Sequence, residues 1–176
     1  MLSIMEACKA PDFPAEISVV LSNNPDAAGL VSAHDAGIAT EIVNHKEFKT
    51  RKDFEDEINK RLKNHKIDLI ILAGFMRILT PSFTEKWLGK IINIHPSLLP
   101  DYKGLNTHAR AINDGKKESG CTVHFVNAEL DSGSIILQKS VPILSDDTPD
   151  ILAARILEQE HKAYPQAIRI LASSLL

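Results

Sequence analysis

The sequence predicts an α/β domain with a doubly wound, mostly parallel sheet. Helical and strand patterns alternate through the first hundred residues, as they do when each parallel strand is followed by a crossover helix. One of these strands, IDLIILA at 67–73, is apolar throughout, which is typical of a sheet covered on both faces. At 176 residues and 44% hydrophobic content, the chain is long enough for residues 1–176 to form a single domain around one core.

The first hundred residues contain four helices and four strands. The predicted helices are 1–9, a second from the SNNPDA cap to residue 34, 48–64 and 80–87, and the predicted strands are 17–21, 38–43, 67–73 and 91–95. Gly37 provides a carboxyl-terminal stop for the second helix. Phe54, Ile58 and Leu62 give the third helix an apolar face at four-residue spacing. Pro96 ends the fourth strand because proline brings no N–H group to the ladder.

Beyond residue 100 the pattern changes from alternation to two consecutive strands. The predicted elements are a loop at 101–108, a short helix at 109–113, a turn at 115–120, strands at 121–126 and 135–141, and a closing helix that runs towards Leu176. Asp147-Thr148-Pro149 caps this helix, and Pro165 is a position where it can bend. The two consecutive strands predict an antiparallel pair at the edge of the sheet.

Composition and charge exclude several classes of function. The net charge of −3 and the pI near 6.2 give no electrostatic reason to expect nucleic acid or an acidic membrane as a partner. Cys8 and Cys121 have neither metal spacing nor the density of a disulfide framework, which suits a reducing cytoplasm. The longest apolar run, residues 69–76, is too short to span a bilayer, and no signal peptide is visible. We therefore expect a cytoplasmic protein.

Asn93 and His95 stand out at the end of the fourth strand, in IINIHPSLLP at 91–100. Residues i and i+2 of a strand point to the same face, so both side chains can reach one substrate atom. A carboxamide N–H can stabilise an oxyanion, and an imidazole can move a proton near neutral pH. The alternative is a pair of satisfied polar residues at a strand end. Pro96, directly after an otherwise apolar strand, favours a site.

Asp131 and His124 are the next candidates. Asp131 lies in ELDSGSIILQ, a loop that leads into a strand, and its carboxylate near His95 would favour the charged imidazole and orient the ring. The alternative is an aspartate that closes an Asx-turn. His124 in CTVHFV can be a site residue or a structural histidine on a strand, and the sequence leaves both interpretations open.

The loop GFMRIL at 74–79 follows the carboxyl end of a predicted strand. Its side chains suit a pocket for a flat, partly apolar ligand that carries an acidic group, or else core packing around the stem of Arg77. Arg51 is a second possible carboxylate partner, or part of the solvated face of a charged helix. Glu160 in LEQEHKAYP can bind hydroxyl groups or be an ordinary helix glutamate.

Metal and nucleophile chemistry find little support. The seven histidines are scattered, without H-x₃-H or C-x₂-C spacing, so we expect no metal site. There is no G-x-S-x-G motif, and neither cysteine lies beside a histidine in the sequence. The residues alone therefore predict an α/β enzyme with an Asn/His/Asp site.

Five stretches of the chain carry a resemblance to a known family. They are LAGFMRIL (72–79), NIHPSLLP (93–100), YKGLNTH (102–108), GCTVHFVNAELDSG (120–133) and QEHKAYP (159–165). Together they resemble the glycinamide ribonucleotide formyltransferases, folate-dependent enzymes of purine synthesis. The resemblance implies a Rossmann-like formyltransferase sheet and covers nearly the whole chain.

Two features separate this branch from its relatives. The methionyl-tRNA formyltransferases usually read R-G-A-A-P where this chain has residues 103–107 (KGLNT), and the formyltetrahydrofolate hydrolases usually carry a second histidine where this chain has Pro96. The GLNTH and QEH signatures favour the glycinamide ribonucleotide branch. Asn106 stands where that branch often has another histidine.

The resemblance implies a catalytic trio of Asn93, His95 and Asp131. The substrate amine would attack the formyl carbon of 10-formyltetrahydrofolate. Asn93 and protonated His95 would stabilise the tetrahedral oxyanion. Asp131 would keep His95 charged and order a water for proton transfer.

The resemblance also implies binding residues and partners. The positions that match folate contacts are Arg51, Met76, Arg77, Ile78, Leu79, Asn93, Asn127 and Asp131. The positions that match contacts to glycinamide ribonucleotide are Glu160, Met76 and Pro96, and His108 and His124 match positions that line the site. The implied partners are the two small-molecule substrates, with no metal, no nucleic acid and no membrane, in a monomer or a homodimer.

The amino terminus departs from the family pattern. Family members begin with a hydrophobic strand in the middle of the sheet and a G-x-G-S-N loop that holds the substrate phosphate. Met1 falls inside the helix that follows this loop, so we expect the first strand and the loop to be missing from this chain, through a late start or a real loss. We also expect exposed edges on two neighbouring strands, poor phosphate binding and low stability. The alternatives are a catalytically impaired folate-binding remnant and a formyltransferase or formyltetrahydrofolate hydrolase of other specificity.

Overall fold

The structure, a computed structural model, describes residues 1–175, with side chains described for residues 1–173. The predicted end of the last helix at Leu176 lies outside the described residues. The chain divides into two compact units, Met1–Leu69 and Ile70–Leu176, which are described separately below. The single domain predicted for residues 1–176 stays a prediction. No helix in the described part of the chain combines the length and the apolar character needed to cross a membrane.

The first unit contains a two-stranded parallel sheet and four helical segments. Its elements are α1 (Leu2–Ala7), β1 (Val20–Ser22), α2 (Ala28–Asp35), β2 (Thr40–Ile42), a 3₁₀ turn (His45–Glu47) and α3 (Arg51–Asn64). The ladder of β1 and β2 runs from Val20 opposite Thr40 to Ser22 opposite Ile42. Both strands are shorter than the apolar runs that predict them, because the ladder covers only three residue pairs.

Local sequence signals explain where the helices of the first unit begin and end. Gly37 has a φ of 72° after α2, and its N–H donates to His34 while Ile38 N–H donates to Ala33, which closes a Schellman motif. Thr50 caps α3 by accepting from the Asp53 N–H group. The predicted apolar face of α3 is confirmed, since Phe54, Ile58 and Leu62 are all buried.

The second unit contains a four-stranded sheet in the order β3-β4-β5-β6. Its elements are β3 (Ile70–Leu72), α4 (Pro81–Lys86), β4 (Ile91–His95), α5 (Thr107–Asn113), β5 (Glu118–Phe125), β6 (Ile135–Pro142) and α6 (Pro149–Leu175). β3 and β4 are parallel, and β5 is antiparallel to both β4 and β6, so three of the four strands point the same way. The predicted α/β fold with an antiparallel pair at the sheet edge is confirmed.

The start of β5 differs from the prediction. Residues 118–120 belong to the strand and not to a turn, and Gly120 pairs with Ser140 of β6. A side chain at Gly120 would overlap the Lys139 carbonyl group, so glycine here permits close approach of two backbones and does not mark a turn. The predicted turn at 115–120 is wrong for its second half.

Helix α6 covers one face of the β5–β6 hairpin. Its buried side chains include Leu152, Ile156, Ala163 and Ile168, each no more than 1% exposed, and the helix continues through Pro165. Burial of an apolar side chain of this size stabilises the fold by roughly 1.5–3 kcal/mol. The apolar stripe of α6 therefore supplies much of the core of the second unit.

We predict that Leu152→Ala lowers the free energy of unfolding by roughly 2–5 kcal/mol, because Leu152 is fully buried and its loss leaves a cavity. Denaturant unfolding measures this change. The matched control is Leu157→Ala on the same helix, where the side chain is 47% exposed and the expected loss is about 0.5 kcal/mol or less. Equal losses in the two variants would contradict the packing described for α6.

Candidate active site

Strands β4 and β5 bring four polar side chains to one face of the sheet. Asn93 lies opposite His124, and His95 lies opposite Thr122. Opposed residues of an antiparallel pair share a face, and so do residues two apart on one strand. The structure thus places Asn93 and His95 together, as the sequence predicts, and adds His124 beside them. No protein partner for the Asn93 carboxamide is found within residues 1–175, so its N–H groups are available to a ligand.

His95 is buried, and both of its ring nitrogens face protein acceptors. Nε2 lies 2.9 Å from the Tyr102 carbonyl oxygen, and Nδ1 lies 3.4 Å from Asp131 Oδ2. A carbonyl can only accept, so Nε2 carries a proton and donates it. The imidazolium form donates at both nitrogens, and it is therefore the form that satisfies both contacts.

Asp131 meets His95 through a carboxylate that is almost fully enclosed. Its side chain is 8% exposed, and Oδ2 also accepts a 2.9 Å hydrogen bond from Gly104 N–H. The backbone of Asp131 is left-handed, with a φ of 48°, a conformation that costs a non-glycine residue about 1–3 kcal/mol. The tight loop thus aims the carboxylate at the end of β4.

His124 occupies the opposite side of the same carboxylate. Its Nδ1 lies 2.8 Å from the Phe125 carbonyl oxygen, which fixes the proton on Nδ1, while Nε2 lies 3.8 Å from Asp131 Oδ1. Burial lowers the pKa of His124, because the ring is 2% exposed and its charged form is poorly solvated. A register shift of the β5–β6 ladder at Val123/His124 sits at this position.

His108 is the third histidine near this cluster. Burial lowers its pKa, and the positive charge of His95 acts in the same direction. Its Nδ1 atom is buried without a hydrogen-bond partner among the described residues, as is Nε2 of His124. Two unpartnered ring nitrogens beside one buried ion pair leave acceptor positions for a water or a substrate proton.

Four of the predicted binding residues lie in the loop that follows β3. Met76 is 80% exposed and Ile78 is 60% exposed, while Arg77 is exposed and Leu79 is half-buried. Because β3 and β4 are parallel neighbours, this loop starts at the same edge of the sheet as Asn93 and His95. The exposed apolar surface is therefore next to the polar cluster in the topology of the second unit.

Three further predicted binding residues are Asn127, Pro96 and Arg51. Asn127 Oδ1 caps its own loop by accepting from Glu129 N–H at 3.0 Å, and the Pro96 carbonyl accepts from the Thr107 hydroxyl at 2.8 Å. Arg51 is exposed at the first position of α3, in the first unit. Among the described residues of the second unit, no hydrogen bond or ion pair joins Asn127 or Pro96 to His95 or Asp131.

Glu160 is a half-buried carboxyl group on α6. Burial raises its pKa, and its charge also raises the pKa of Cys121, which reaches about 11 mainly through burial of the thiol. Cys121 and His124 point to opposite faces of β5, since their positions differ by an odd number. Glu160 therefore belongs to the helix-covered face of β5, and the histidine cluster belongs to the other.

Two groups of the cluster were missed by the sequence, namely the Tyr102 carbonyl and the Gly104 N–H group. Both are backbone groups, so no residue type marks them. The glycine and the asparagine of YKGLN at 102–106 are the only hint in the sequence, because these two residue types favour the left-handed backbone that this loop adopts. Among residues 1–175 no group of three or more His, Cys, Asp or Glu side chains is arranged to hold a metal ion.

The cluster can hold a positive charge and a free carboxamide at the end of one strand. A cation and an N–H donor side by side stabilise an oxyanion that develops on an acyl carbon. An unpartnered imidazole nitrogen beside a carboxylate can pass a proton. This chemistry is that of an acyl-group transfer to an amine or to water.

A family model described as Formyl transferase matches residues 1–168. The chain therefore belongs to the formyl transferase family, a class of enzymes that transfer a one-carbon acyl group, to which this fold and site are suited.

Similar proteins place the chain within one branch of that family. The phosphoribosylglycinamide formyltransferase of Haemophilus influenzae is 49% identical over 167 residues, which cover 95% of this chain and 79% of that protein. The trifunctional purine biosynthetic protein adenosine-3 of Homo sapiens is 45% identical over 171 residues, which cover 97% of this chain and 17% of that protein. The phosphoribosylglycinamide formyltransferase structure from Brucella melitensis matches with a TM-score of 0.93 at 46% identity, covering 97% of this chain and 88% of that one. The predicted resemblance and the Rossmann-like formyltransferase fold are confirmed.

We predict that His124 makes the fold lose stability as the pH falls below about 6.5. Burial lowers the pKa of His124 in the folded chain, so the unfolded chain binds the proton more readily and gains population in acid. Replacing the ring by His124→Gln removes this titration. The free energy of unfolding, measured at pH 7 and pH 5, should fall less in the variant than in the parent chain.

The control for this measurement is His34→Gln, since the His34 side chain is 83% exposed on α2. That variant should keep the pH dependence of the parent chain. A His124→Gln variant with an unchanged pH dependence would show that the buried ring does not titrate between these pH values.

Proposed function

We propose that this chain transfers the formyl group of 10-formyltetrahydrofolate to the amine of 5-phosphoribosylglycinamide. The products are formylglycinamide ribonucleotide and tetrahydrofolate, in a cytoplasmic step of de novo purine biosynthesis. The observation that supports this most is the arrangement of Asn93, His95 and Asp131 at the end of β4 in a chain of the formyl transferase family. The names of the similar proteins favour this substrate over a hydrolase reaction or a binding remnant.

The reaction is an exchange of one C–N bond for another. The amine nitrogen attacks the formyl carbon, the carbonyl electron pair moves to oxygen, and a tetrahedral oxyanion with an ammonium nitrogen forms. The ammonium nitrogen loses one proton and N10 of the folate gains one. The oxyanion then re-forms the carbonyl, and the bond from carbon to N10 breaks.

Asn93 and His95 would share the stabilisation of the oxyanion. The Asn93 carboxamide would donate directly, since none of its protein neighbours among residues 1–175 accepts from it. His95 would act through a positive charge on its ring, while Nε2 donates to the Tyr102 carbonyl and Nδ1 faces the Asp131 carboxylate. Asp131 would hold that charge in place and order the water that carries the proton from the amine.

The other predicted site residues would bind the two substrates. Folate contacts are assigned to Arg51, Met76, Arg77, Ile78, Leu79, Asn93, Asn127 and Asp131. Contacts to the ribonucleotide are assigned to Glu160, Met76 and Pro96. The exposed apolar side chains of Met76 and Ile78 support this assignment, because they leave apolar area to be covered by a flat ligand. His108 and His124 would line the site, and no metal is required by the chemistry.

We predict that His95→Ala and Asp131→Asn each lower kcat by roughly 10²–10³-fold. The first change removes the imidazole whose positive charge would stabilise the oxyanion, and the second removes the carboxylate that faces this imidazole. KM for the folate should change less than kcat does, since neither change removes the apolar side chains at 74–79, although Asp131 is itself assigned a folate contact. Initial rates with both substrates, followed as formation of tetrahydrofolate, measure the effect.

The control for this pair is Asp147→Asn, which removes a buried carboxylate bonded to Arg155, away from the histidine cluster in the second unit. That change should lower thermal stability without changing kcat. Near-parent turnover in His95→Ala or Asp131→Asn would end the roles assigned here.

We predict that Glu160→Gln raises stability while it weakens ribonucleotide binding. Burial raises the pKa of Glu160, so its ionised form opposes folding at neutral pH, and a neutral amide removes that cost. An amide binds a pair of ribose hydroxyl groups less well than a carboxylate does. The melting temperature at pH 7 should rise and KM for the ribonucleotide should increase, whereas a variant with the parent KM would remove Glu160 from the binding site.

A further inference from the structure

The loop 102–106 contacts both members of the His95–Asp131 pair through its backbone. The Tyr102 carbonyl accepts from His95 Nε2 at 2.9 Å, and Gly104 N–H donates to Asp131 Oδ2 at 2.9 Å. Since His95 Nδ1 also faces Asp131 Oδ2, the loop closes a ring of three contacts. The position of two backbone groups, two residues apart, thus sets the distance between imidazole and carboxylate.

Three residues of this loop have a left-handed backbone. Tyr102 and Asn106 have φ values of 57° and 56°, and Gly104 between them has a φ of 78°. A left-handed conformation costs a non-glycine residue about 1–3 kcal/mol, so such a loop persists only where outside contacts favour it. The question is which side chains provide those contacts.

Arg110 on α5 provides several of them at once. Its Nη1 atom donates to the Lys103 carbonyl at 2.7 Å and to the Leu105 carbonyl at 3.3 Å. Its guanidinium carbon lies 5.2 Å from the centre of the Tyr102 ring. The exposed Arg110 side chain thus donates to the carbonyls on either side of Gly104 and also contacts the ring of Tyr102.

Asp114 and Lys116 complete the hold on Tyr102. The Tyr102 hydroxyl donates to Asp114 Oδ2 at 2.8 Å, and Lys116 Nζ lies 5.8 Å from the ring centre. Asp114 directly follows α5 and is four residues from Arg110, so the two side chains lie on the same side of the helix end. Arg110 contacts the Tyr102 ring, and Asp114 accepts from the Tyr102 hydroxyl. The Tyr102 backbone carbonyl faces His95.

We propose that Arg110 is a positioning residue for catalysis, which holds the 102–106 loop so that its Tyr102 carbonyl and Gly104 N–H fix His95 and Asp131 in contact. Arg110 does not touch substrate in this scheme and acts only through the loop. The kinetic part of the proposal rests on the proposed function. The contact of His95 with Tyr102 does not, and it is tested separately below.

The kinetic test is Arg110→Ala in the full chain. Loosening the loop displaces imidazole and carboxylate from their productive geometry, and such a displacement lowers kcat by roughly 10- to 100-fold. KM for both substrates should stay at the parent value, because the substrate contacts remain. Arg110→Lys keeps a positive charge and an N–H donor but loses the planar guanidinium over the Tyr102 ring, so its kcat should lie between those of Arg110→Ala and the parent chain.

The spectroscopic test uses ¹⁵N-labelled histidine and the ring N–H signals of the folded chain. The Nε2 proton of His95, identified by its loss in His95→Ala, should exchange with solvent faster in Arg110→Ala than in the parent chain. The Nδ1 proton of His124 is the internal control, since it is bonded to Phe125 on β5 and not to the loop. Its exchange should be unchanged.

Arg155→Ala is the matched control variant. Arg155 also extends from a helix to a backbone carbonyl, at 2.8 Å from Pro142, and pairs with a carboxylate, Asp147. Its loss should lower stability while kcat and the exchange of the His95 proton stay unchanged. If Arg110→Ala does not fold, Tyr102→Phe replaces it. That variant removes only the hydrogen bond from the Tyr102 hydroxyl to Asp114. It should lower kcat and speed the exchange of the His95 Nε2 proton, each by less than Arg110→Ala would.

Three results would overturn the proposal. They are parent kcat in Arg110→Ala, parent exchange of the His95 Nε2 proton in that variant, and an equal loss of kcat in Arg155→Ala. A parent chain without formyl transfer would overturn the proposed function instead, and the exchange measurement would still decide whether Arg110 positions His95.

Discussion

The buried carboxylate of Asp131 is the constraint on which the rest of the site depends. A carboxylate that is 8% exposed must be compensated by donors, or its burial would cost several kcal/mol. The donors come from separate parts of the chain: His95 at the end of β4 and Gly104 in the loop before α5, with His124 of β5 facing the other oxygen. The charge of Asp131 therefore links the end of β4 to the loop before α5.

The part of the site that follows from strand geometry could be predicted from the sequence. Asn93 and His95 share a face because residues two apart always do so in a strand, and Pro96 shows where the strand ends. The contact with Asp131 needed the resemblance to a family, since nothing local in ELDSG distinguishes a charge partner from an Asx-turn. His124 could be placed only once the register of β4 and β5 was known, because that register sets which residue faces Asn93.

The rest of the site could not be predicted, because it is made of groups that every residue carries. The Tyr102 carbonyl and the Gly104 N–H group have no signature in the sequence. Arg110 contacts neither His95 nor Asp131 and is linked to them only through its hydrogen bonds to the loop. The fold shows the same limit. Apolar runs predict that strands exist, but the ladder sets their length, and Gly120, which suggests a turn, lies inside β5 because it permits close approach to Lys139.

The two histidines beside Asp131 show how one carboxylate can select which ring is the cation. His95 has an acceptor at each nitrogen, so protonation completes its contacts. His124 has its Nδ1 proton committed to Phe125, and burial lowers its pKa, as does the positive charge of His95. A second cation at His124 would compete for the same carboxylate in a space too enclosed to solvate it. Burial therefore favours the neutral form of His124, with its proton on Nδ1. The two acceptors around His95 are satisfied by the doubly protonated ring, which lies next to the carboxamide of Asn93.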